Sequence, residues 1–151
     1  NNLLKPYVYG LFETLTEETL ERIMDDVEFN SGNRPNFMLC SFDVKRALMK
    51  LYKDSALLTM KELEGGYKAP CINGMPVVAD RFCPAGTLYL LNTNDFKINQ
   101  LCDWKWLEGE DGKILKQIPG KPVYTATLVK YAELICERVN GQAVITNIYE
   151  N

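Results

Sequence analysis

Residues 67–91 read YKAPCINGMPVVADRFCPAGTLYLL, and this segment carries the clearest structural signal in the sequence. Two short apolar runs flank Asn73-Gly74, a pair of residues that both tolerate the positive φ angles of a type I′ turn, so a β-hairpin is predicted. Pro84-Ala85-Gly86 predicts a second turn before the apolar run Thr87–Leu91. The segment therefore predicts three short strands of a small sheet.

An amphipathic helix is predicted on the N-terminal side, over residues 15–29. Its apolar positions recur at the helical spacing i, i+3, i+4 and i+7, at Leu20, Ile23, Met24 and Val27. Thr14 and Glu17 match a capping box at its start. Gly32 is expected to end it, because glycine readily adopts the left-handed conformation found after a helix.

A buried strand and a second helix are predicted next. The run Phe37–Cys40 is short and apolar, and Ser41 can cap the helix that follows it. That helix places apolar side chains on one face, at Val44, Leu48, Leu51 and Tyr52. The polar stretch Asp54–Gly66 then predicts a long exposed loop, with Leu57, Leu58 and Met60 outside the core.

The C-terminal third predicts mainly strands. A strand region begins at Phe96, Ile98 and Leu101. The turn Gly109–Gly112 separates Trp104–Leu107 from Lys113–Ile118, which together are read as a second hairpin. Residues 124–138 could line a helix face, but their β-branched residues favour one long strand. Ala143–Ile148 supplies a closing strand that can rejoin the first sheet. The whole pattern predicts the α+β class.

Composition narrows the possible functions. The chain has 151 residues, 46% of them hydrophobic, so it can bury an ordinary core without disulfides or metals. Its 17 basic and 20 acidic residues are mixed along the sequence, which disfavours a dedicated nucleic-acid binder. No apolar stretch reaches the roughly 20 residues that a membrane-spanning helix needs. Because the sequence opens on Asn1 and not on Met, we expect a piece of something longer.

No catalytic, cofactor-binding or metal-ligating residue is predicted. Histidine is absent, which removes Ser-His, Cys-His and His-metal chemistry from this chain. The cysteines are an odd number, widely spaced among apolar neighbours, and are read as free reduced thiols: Cys40, Cys71, Cys83, Cys102 and Cys136. No glycine motif of a nucleotide site is present.

Three local patterns could carry chemistry, but each has a more ordinary interpretation. Asp25 and Asp26 are adjacent on a helix and point about 100° apart, which favours a solvated face over a catalytic carboxylate pair. Asp80-Arg81 is read as a local ion pair at a turn. Trp104 and Trp106 share one side of a strand and could stack on a ligand, but burial in a core or subunit interface is favoured.

The order of these segments resembles the C-terminal half of the major capsid proteins of tailed bacteriophages. The resemblance spans nearly the whole chain and rests on the order and spacing of short motifs: Cys40-Ser41, Gly74-Met75-Pro76-Val77-Val78, Asp80-Arg81, Pro84-Ala85-Gly86-Thr87-Leu88-Tyr89, Trp104-Lys105-Trp106 and Tyr124-Thr125-Ala126-Thr127. It implies the phage major capsid protein fold. An axial domain, a small mixed sheet with flanking helices, would comprise residues 14–94 and 143–149, and residues 95–138 would form part of the peripheral domain.

The same resemblance implies a structural function. The expected role is self-assembly into pentamers and hexamers of an icosahedral head shell that encloses double-stranded DNA without reading its sequence. The implied partners are other copies of the chain, with a scaffolding protein and a portal. No cofactor and no membrane are expected, and the location is the virion after synthesis in the bacterial cytoplasm. No crosslinking residue can be assigned.

Two other functions stay open. One is an encapsulin-like nanocompartment shell of the same fold, which would package an enzyme instead of DNA. The other is a small cysteine- or carboxylate-dependent enzyme using Asp80, Cys83 or Tyr89. If the capsid resemblance holds, family parts outside this sequence should leave an exposed patch here, with Trp104, Trp106, Tyr124 and Tyr131 as candidates, and the isolated chain should form only monomers or low oligomers.

Overall fold

A computed structural model describes residues 5–150 of the chain. Its helices and strands, in chain order, are β1 Tyr7–Thr14, α1 Glu17–Ser31, β2 Phe37–Cys40, α2 Phe42–Leu51, β3 Leu58–Glu62, β4 Lys68–Ile72, β5 Met75–Ala79, β6 Leu88–Leu91, β7 Phe96–Trp106, β8 Lys116–Gln117, β9 Tyr124–Thr125, β10 Leu128–Cys136 and β11 Ala143–Tyr149. Two 3₁₀ turns, Thr93–Asp95 and Val139–Gly141, complete the elements.

The described chain divides into two compact units. The first unit holds the residues up to Phe96 and those from Glu137 onward, and the second unit is Lys97–Cys136. The elements confirm the predicted α+β class.

The first unit is built on a mixed seven-stranded sheet in the order β1-β11-β6-β2-β5-β4-β3. The closing strand β11 joins this sheet as predicted, antiparallel to β6 and parallel to β1. Strand β1 was not predicted from the sequence. It forms because Tyr7, Tyr9 and Leu11 alternate along it and pack against the core.

Helix α1 begins two residues later than predicted. Its N-cap is Thr16, whose side chain accepts a hydrogen bond from the Thr19 N–H, so the predicted Thr14–Glu17 capping box is wrong. Thr14 instead ends β1, where it pairs with Tyr149. Gly32 ends the helix as predicted, with φ of 79° and its N–H bonded to the Glu28 carbonyl.

Both helices contribute to one core. The buried side chains of α1 and α2 form a single cluster with alternate residues of the strands, namely Leu20, Ile23, Met24 and Val27, then Val44, Leu48 and Tyr52, and Met38, Cys40, Val77, Leu88, Leu90 and Ile145. Ser41 occupies the N-cap position of α2, but its side chain makes no capping hydrogen bond. The predicted apolar faces of both helices are confirmed.

The hairpin around Asn73-Gly74 is confirmed. Asn73 has φ of 49° and Gly74 has φ of 80°, the two positive values that a type I′ turn requires. The predicted loop Asp54–Gly66 is wrong in part, because β3 forms within it and pairs antiparallel with β4. As an edge strand it gains backbone hydrogen bonds from β4 without needing a buried face, and so it shows little apolar alternation.

The second unit contains two small two-stranded sheets, β10-β7 and β8-β9. The Gly109–Gly112 turn exists, with a hydrogen bond from the Gly112 N–H to the Gly109 carbonyl. The predicted pairing across it is wrong, because β7 pairs with β10, while β8 pairs with β9 around Pro119-Gly120. Tyr124–Arg138 is extended, as favoured, but Ala126-Thr127 divides it into β9 and β10.

Candidate assembly surfaces

The second unit has no core of its own. None of the residues 97–136 is buried, and only a few, such as Cys102 and Ile135, are even half-buried. An isolated two-stranded sheet is marginally stable in water. The β7-β10 ribbon, meaning the strands Phe96–Trp106 and Leu128–Cys136, therefore lacks the packing that would hold an independent domain together.

Large apolar side chains lie on both faces of this ribbon. The Lys130 ammonium lies 5.8 Å from the Trp104 ring centroid, so these two side chains share a face. Alternation along the strands then places further exposed side chains on that face, Ile98, Trp106, Leu128 and Leu134. Leu101, 88% exposed, and Tyr131 belong to the opposite face. So many exposed large apolar side chains on one ribbon are typical of a surface that another protein segment covers.

The exposed aromatic patch predicted from the sequence is confirmed. Trp104, Trp106, Tyr124 and Tyr131 are 63%, 50%, 61% and 53% exposed. Of the two kinds of burial considered for the tryptophans, burial in the chain's own core is wrong, since both are exposed in the described chain, and burial in a subunit interface stays a prediction. Asp103 lies beside this patch, where the Trp104 N–H and then the Lys130 ammonium lower its carboxyl pKa.

The first unit has a second candidate surface on the sheet face away from its helices. Strand register sets one side chain from each of five neighbouring strands in a single row, in the order Val8, Val144, Tyr89, Leu39 and Val78. All five are apolar or aromatic; Val8, at one end of the row, is exposed, and the other four are half-buried. Such a continuous row favours contact with another polypeptide over contact with water.

The edge of the sheet at β1 has a groove of about 760 Å³ against α1, lined among others by Val8, Arg22 and Phe29. Phe29 is 88% exposed beside it. At the other edge, Leu57 and Met60 are exposed as predicted, whereas Leu58 is half-buried and packs against the core.

Asp25 and Asp26 are used structurally. Asp25 forms a 2.8 Å ion pair with Arg34. Asp26 accepts a 2.8 Å hydrogen bond from the Tyr9 hydroxyl, and burial together with this carboxylate raises the pKa of Tyr9. The two carboxylates face different partners, which agrees with the interpretation of a helix surface and gives no paired acid and base.

Comparisons with known proteins identify the architecture. No family model matches the sequence, and no curated protein matches it significantly. Several solved structures share its fold, and two of them are shell proteins. The holo-SrpI encapsulin complex from Synechococcus elongatus PCC 7942 matches 93% of this chain with a TM-score of 0.64 at 16% identity. The capsid of cyanophage A-1(L) matches 95% with a TM-score of 0.58 at 19% identity.

The chain has the major capsid protein fold. It spans about half the length of each matched structure, 52% of the encapsulin chain and 51% of the cyanophage chain. The capsid fold predicted from the order of the sequence motifs is therefore confirmed, and both structural neighbours are shell proteins.

On this capsid fold, the residues considered for enzymatic chemistry do not converge. The Asp80 carboxylate accepts a 2.7 Å hydrogen bond from the Phe82 N–H and so caps its own turn. Arg81 lies over the Phe82 ring at 4.6 Å, so among the described contacts the predicted Asp80–Arg81 ion pair is wrong. The Asp80 carboxylate interacts with the turn backbone instead. Tyr89 points from the middle of β6 to the outer sheet face.

Two thiols of the first unit, Cys40 and Cys83, are not activated. Burial raises the pKa of Cys40 to about 12, and burial followed by the nearby Asp43 and Asp80 charges raises the pKa of Cys83. A raised pKa lowers the thiolate fraction, which is the nucleophilic form. Within residues 5–150, no group of three metal-ligating side chains is present, and none of the helices is long and apolar enough to cross a membrane.

Proposed function

We propose that the chain is a structural subunit of the icosahedral head shell of a tailed bacteriophage or prophage, and that it has no enzymatic activity. The observation that supports the proposal is that a capsid fold occurs together with a large uncovered surface. The fold is shared with a cyanophage capsid over 95% of the chain. The second unit, residues 97–136, buries no side chain by itself, as expected of a subunit whose surface is covered by neighbouring subunits.

In this proposal the first unit is the axial domain and the second unit contributes to the peripheral domain. Copies of the chain form pentamers and hexamers, with a scaffolding protein and a portal as further partners. The assembled shell encloses double-stranded DNA in the virion without sequence-specific contacts. The mixed charge of the chain, net −3, supports such passive enclosure, because strong DNA binding requires a clustered positive surface.

An encapsulin-like compartment is the second candidate, because an encapsulin structure also shares the fold. Both neighbours match nearly the whole chain, with TM-scores of 0.64 and 0.58, so the shared fold does not separate the two candidates. Both assignments predict closed shells, and they differ in content, which is DNA in one case and an enzyme in the other.

Electron microscopy of purified protein tests the shared part of the proposal. The complete reading frame that contains this sequence is expressed, and closed particles of uniform diameter are expected. Nuclease-protected DNA in particles from the natural source, with portal, protease and terminase genes nearby, supports the phage head. A co-purifying enzyme encoded next to the gene supports the compartment. Protein that stays monomeric or forms only irregular aggregates contradicts both.

A further inference from the structure

The tip of the second unit separates its charges into two adjacent blocks. We define the tip lobe as residues 108–125, which contain the Gly109–Gly112 turn and the β8-β9 hairpin. Its turn carries three acidic side chains, Glu108, Glu110 and Asp111. The following segment carries three lysines, Lys113, Lys116 and Lys121.

The two blocks do not neutralise each other within one chain. Among the described ion pairs, none joins an acidic residue of the tip lobe to one of its lysines. Asp111 accepts only the backbone N–H of Lys113, at 3.2 Å. Within the turn, the Gly109 N–H donates to the Lys113 carbonyl.

Both charge blocks line one open groove beside an apolar patch. The groove has a volume of about 780 Å³, and its walls include Glu110, Asp111, Lys113 and Lys116. Leu115 and Tyr124, 60% and 61% exposed, also line it and continue into a neighbouring apolar groove. An apolar centre with a rim of charged groups is the usual composition of a protein-binding surface.

We propose that the tip lobe binds the tip lobe of a second copy of this chain around a two-fold axis. In such a contact each surface patch meets its own copy, so residue i faces residue j and residue j faces residue i. The acidic turn of each copy then faces the lysines of the other, and Leu115 and Tyr124 are covered between them. Because the three acids and three lysines are equal in number, the pairing is balanced.

A second copy fits this surface better than a partner of one charge. A nucleic acid or a purely acidic protein segment would attract the lysines but would be repelled by Glu108, Glu110 and Asp111. This contact deepens the proposed shell function and rests on it for its biological role, since it would join neighbouring subunits.

Charge exchange between variants of the 151-residue chain tests the contact. One variant changes Glu108, Glu110 and Asp111 to Lys, and the other changes Lys113, Lys116 and Lys121 to Glu. Sedimentation velocity over a range of concentrations is expected to show self-association of the wild type that weakens with added salt. Each variant alone should associate at least about tenfold more weakly, because like charges then face each other.

Recovery of self-association when the two variants are combined distinguishes lost charge pairing from misfolding. An equimolar mixture of the two variants should associate as the wild type does, and so should a single chain carrying all six reversals. A control variant changes Lys53, Lys61 and Lys68, exposed positions of the first unit, to Glu. Its net charge changes by the same amount as that of the variant with three lysines of the tip lobe reversed, and its association should equal that of the wild type. Circular dichroism checks that every variant is folded.

A wild type that is monomeric at all concentrations, or a mixture that fails to restore association, overturns the contact. The outcome is separable from that of the shell proposal. Closed particles that still form from either triple variant alone would refute the tip contact and leave the shell function standing. Association that follows the tip charges, without closed particles, would do the opposite.

Discussion

The Asp43 carboxylate joins α2 to the turn at Gly86, and Gly86 in turn bonds to β11. It lies in the first turn of α2 and accepts a 2.8 Å hydrogen bond from the Gly86 N–H, while the Gly86 carbonyl accepts one from the Ile148 N–H of β11. Gly86 has φ of +68°, and a Cβ there would lie 2.9 Å from the Ile148 carbonyl oxygen. Pro84-Ala85-Gly86 was predicted as a turn, but its link to Asp43 depends on tertiary packing that local sequence does not encode.

Replacing Asp43 with Ala should lower the free energy of unfolding by about 2 kcal/mol at pH 7, the usual effect of losing a hydrogen bond to a charged group. Burial raises the pKa of Asp43, but hydrogen bonds, including that from Gly86, outweigh burial and lower it below the ordinary value. A lowered folded-state pKa means that this stabilisation is present above the unfolded pKa of about 3.9 and is lost as pH falls through the folded value.

Urea denaturation between pH 7 and pH 3 checks this. The difference between wild type and Asp43→Ala should shrink towards the acidic end of that range. Asp43→Asn keeps an acceptor for Gly86 and serves as the matched control, with a smaller loss at pH 7. A difference that stays constant down to pH 3 would show that the carboxylate charge is not involved.

The cysteines differ in accessibility, although the sequence places all of them among apolar neighbours. All five are free thiols in the structure, with Cys40 and Cys71 buried and the other three half-buried. Alternation along a strand buries Cys40, whereas Cys102 and Cys136 lie on strands that no other layer covers. Sequence context alone could not separate these cases, because it does not show which strands have a packed face.

Brief alkylation of the native protein should therefore modify Cys83, Cys102 and Cys136 faster than Cys40 and Cys71. Peptide mass spectrometry reads out the modified fraction at each position, and the same reaction in denaturant gives the fully accessible control. No intramolecular disulfide should be found in freshly purified protein. Rapid native labelling of Cys40, or a bridge between any two of the five, would contradict the structure.

At the scale of elements, the well-predicted parts are those with strong local signals. The α1 face from Leu20 to Val27 and the Asn73-Gly74 turn follow directly from periodicity and from glycine chemistry. Strand β1 was missed because its outer side chains, Val8 and Phe12, are also apolar and obscure the alternation. The pairing of β7 with β10 was missed because it joins distant segments, and a nearby turn falsely favoured a local hairpin.

The start of α1 provides an element-scale test with a built-in control. Thr16→Ala should destabilise the protein by about 1 kcal/mol, because the Thr19 N–H loses its side-chain acceptor. Thr14→Ala, which removes a similar side chain from the end of β1, should cost clearly less. Thermal unfolding of both variants measures the contrast. An equal or larger loss at Thr14 would restore the capping box predicted from the sequence.

At the scale of the whole molecule, the two units differ in how they gain stability. The first unit has one continuous core beneath two helices, whereas residues 97–136 bury no side chain. Segments with few buried contacts open with low free energy, often far below the global value. The sequence could not predict this contrast, since Trp104, Trp106 and Leu101 belong to residue types that usually fill cores.

Hydrogen exchange should expose this difference directly. In the unassembled chain, backbone amides of β7 and β10 should exchange much faster than those of β2 and β6, which lie in the middle of the larger sheet. The physical reason is that ribbon hydrogen bonds are shielded by no apolar layer, while β2 and β6 are flanked on both sides by other strands.

In assembled particles, the same ribbon amides should become strongly protected as neighbouring polypeptide covers Leu101, Trp104 and Tyr131, with little change in β2 and β6. Mass spectrometry of peptic peptides from both samples measures the two effects together. Ribbon amides that exchange as slowly as those of β2 in the unassembled chain, or that gain no protection on assembly, would show that this exposed surface is not an assembly surface.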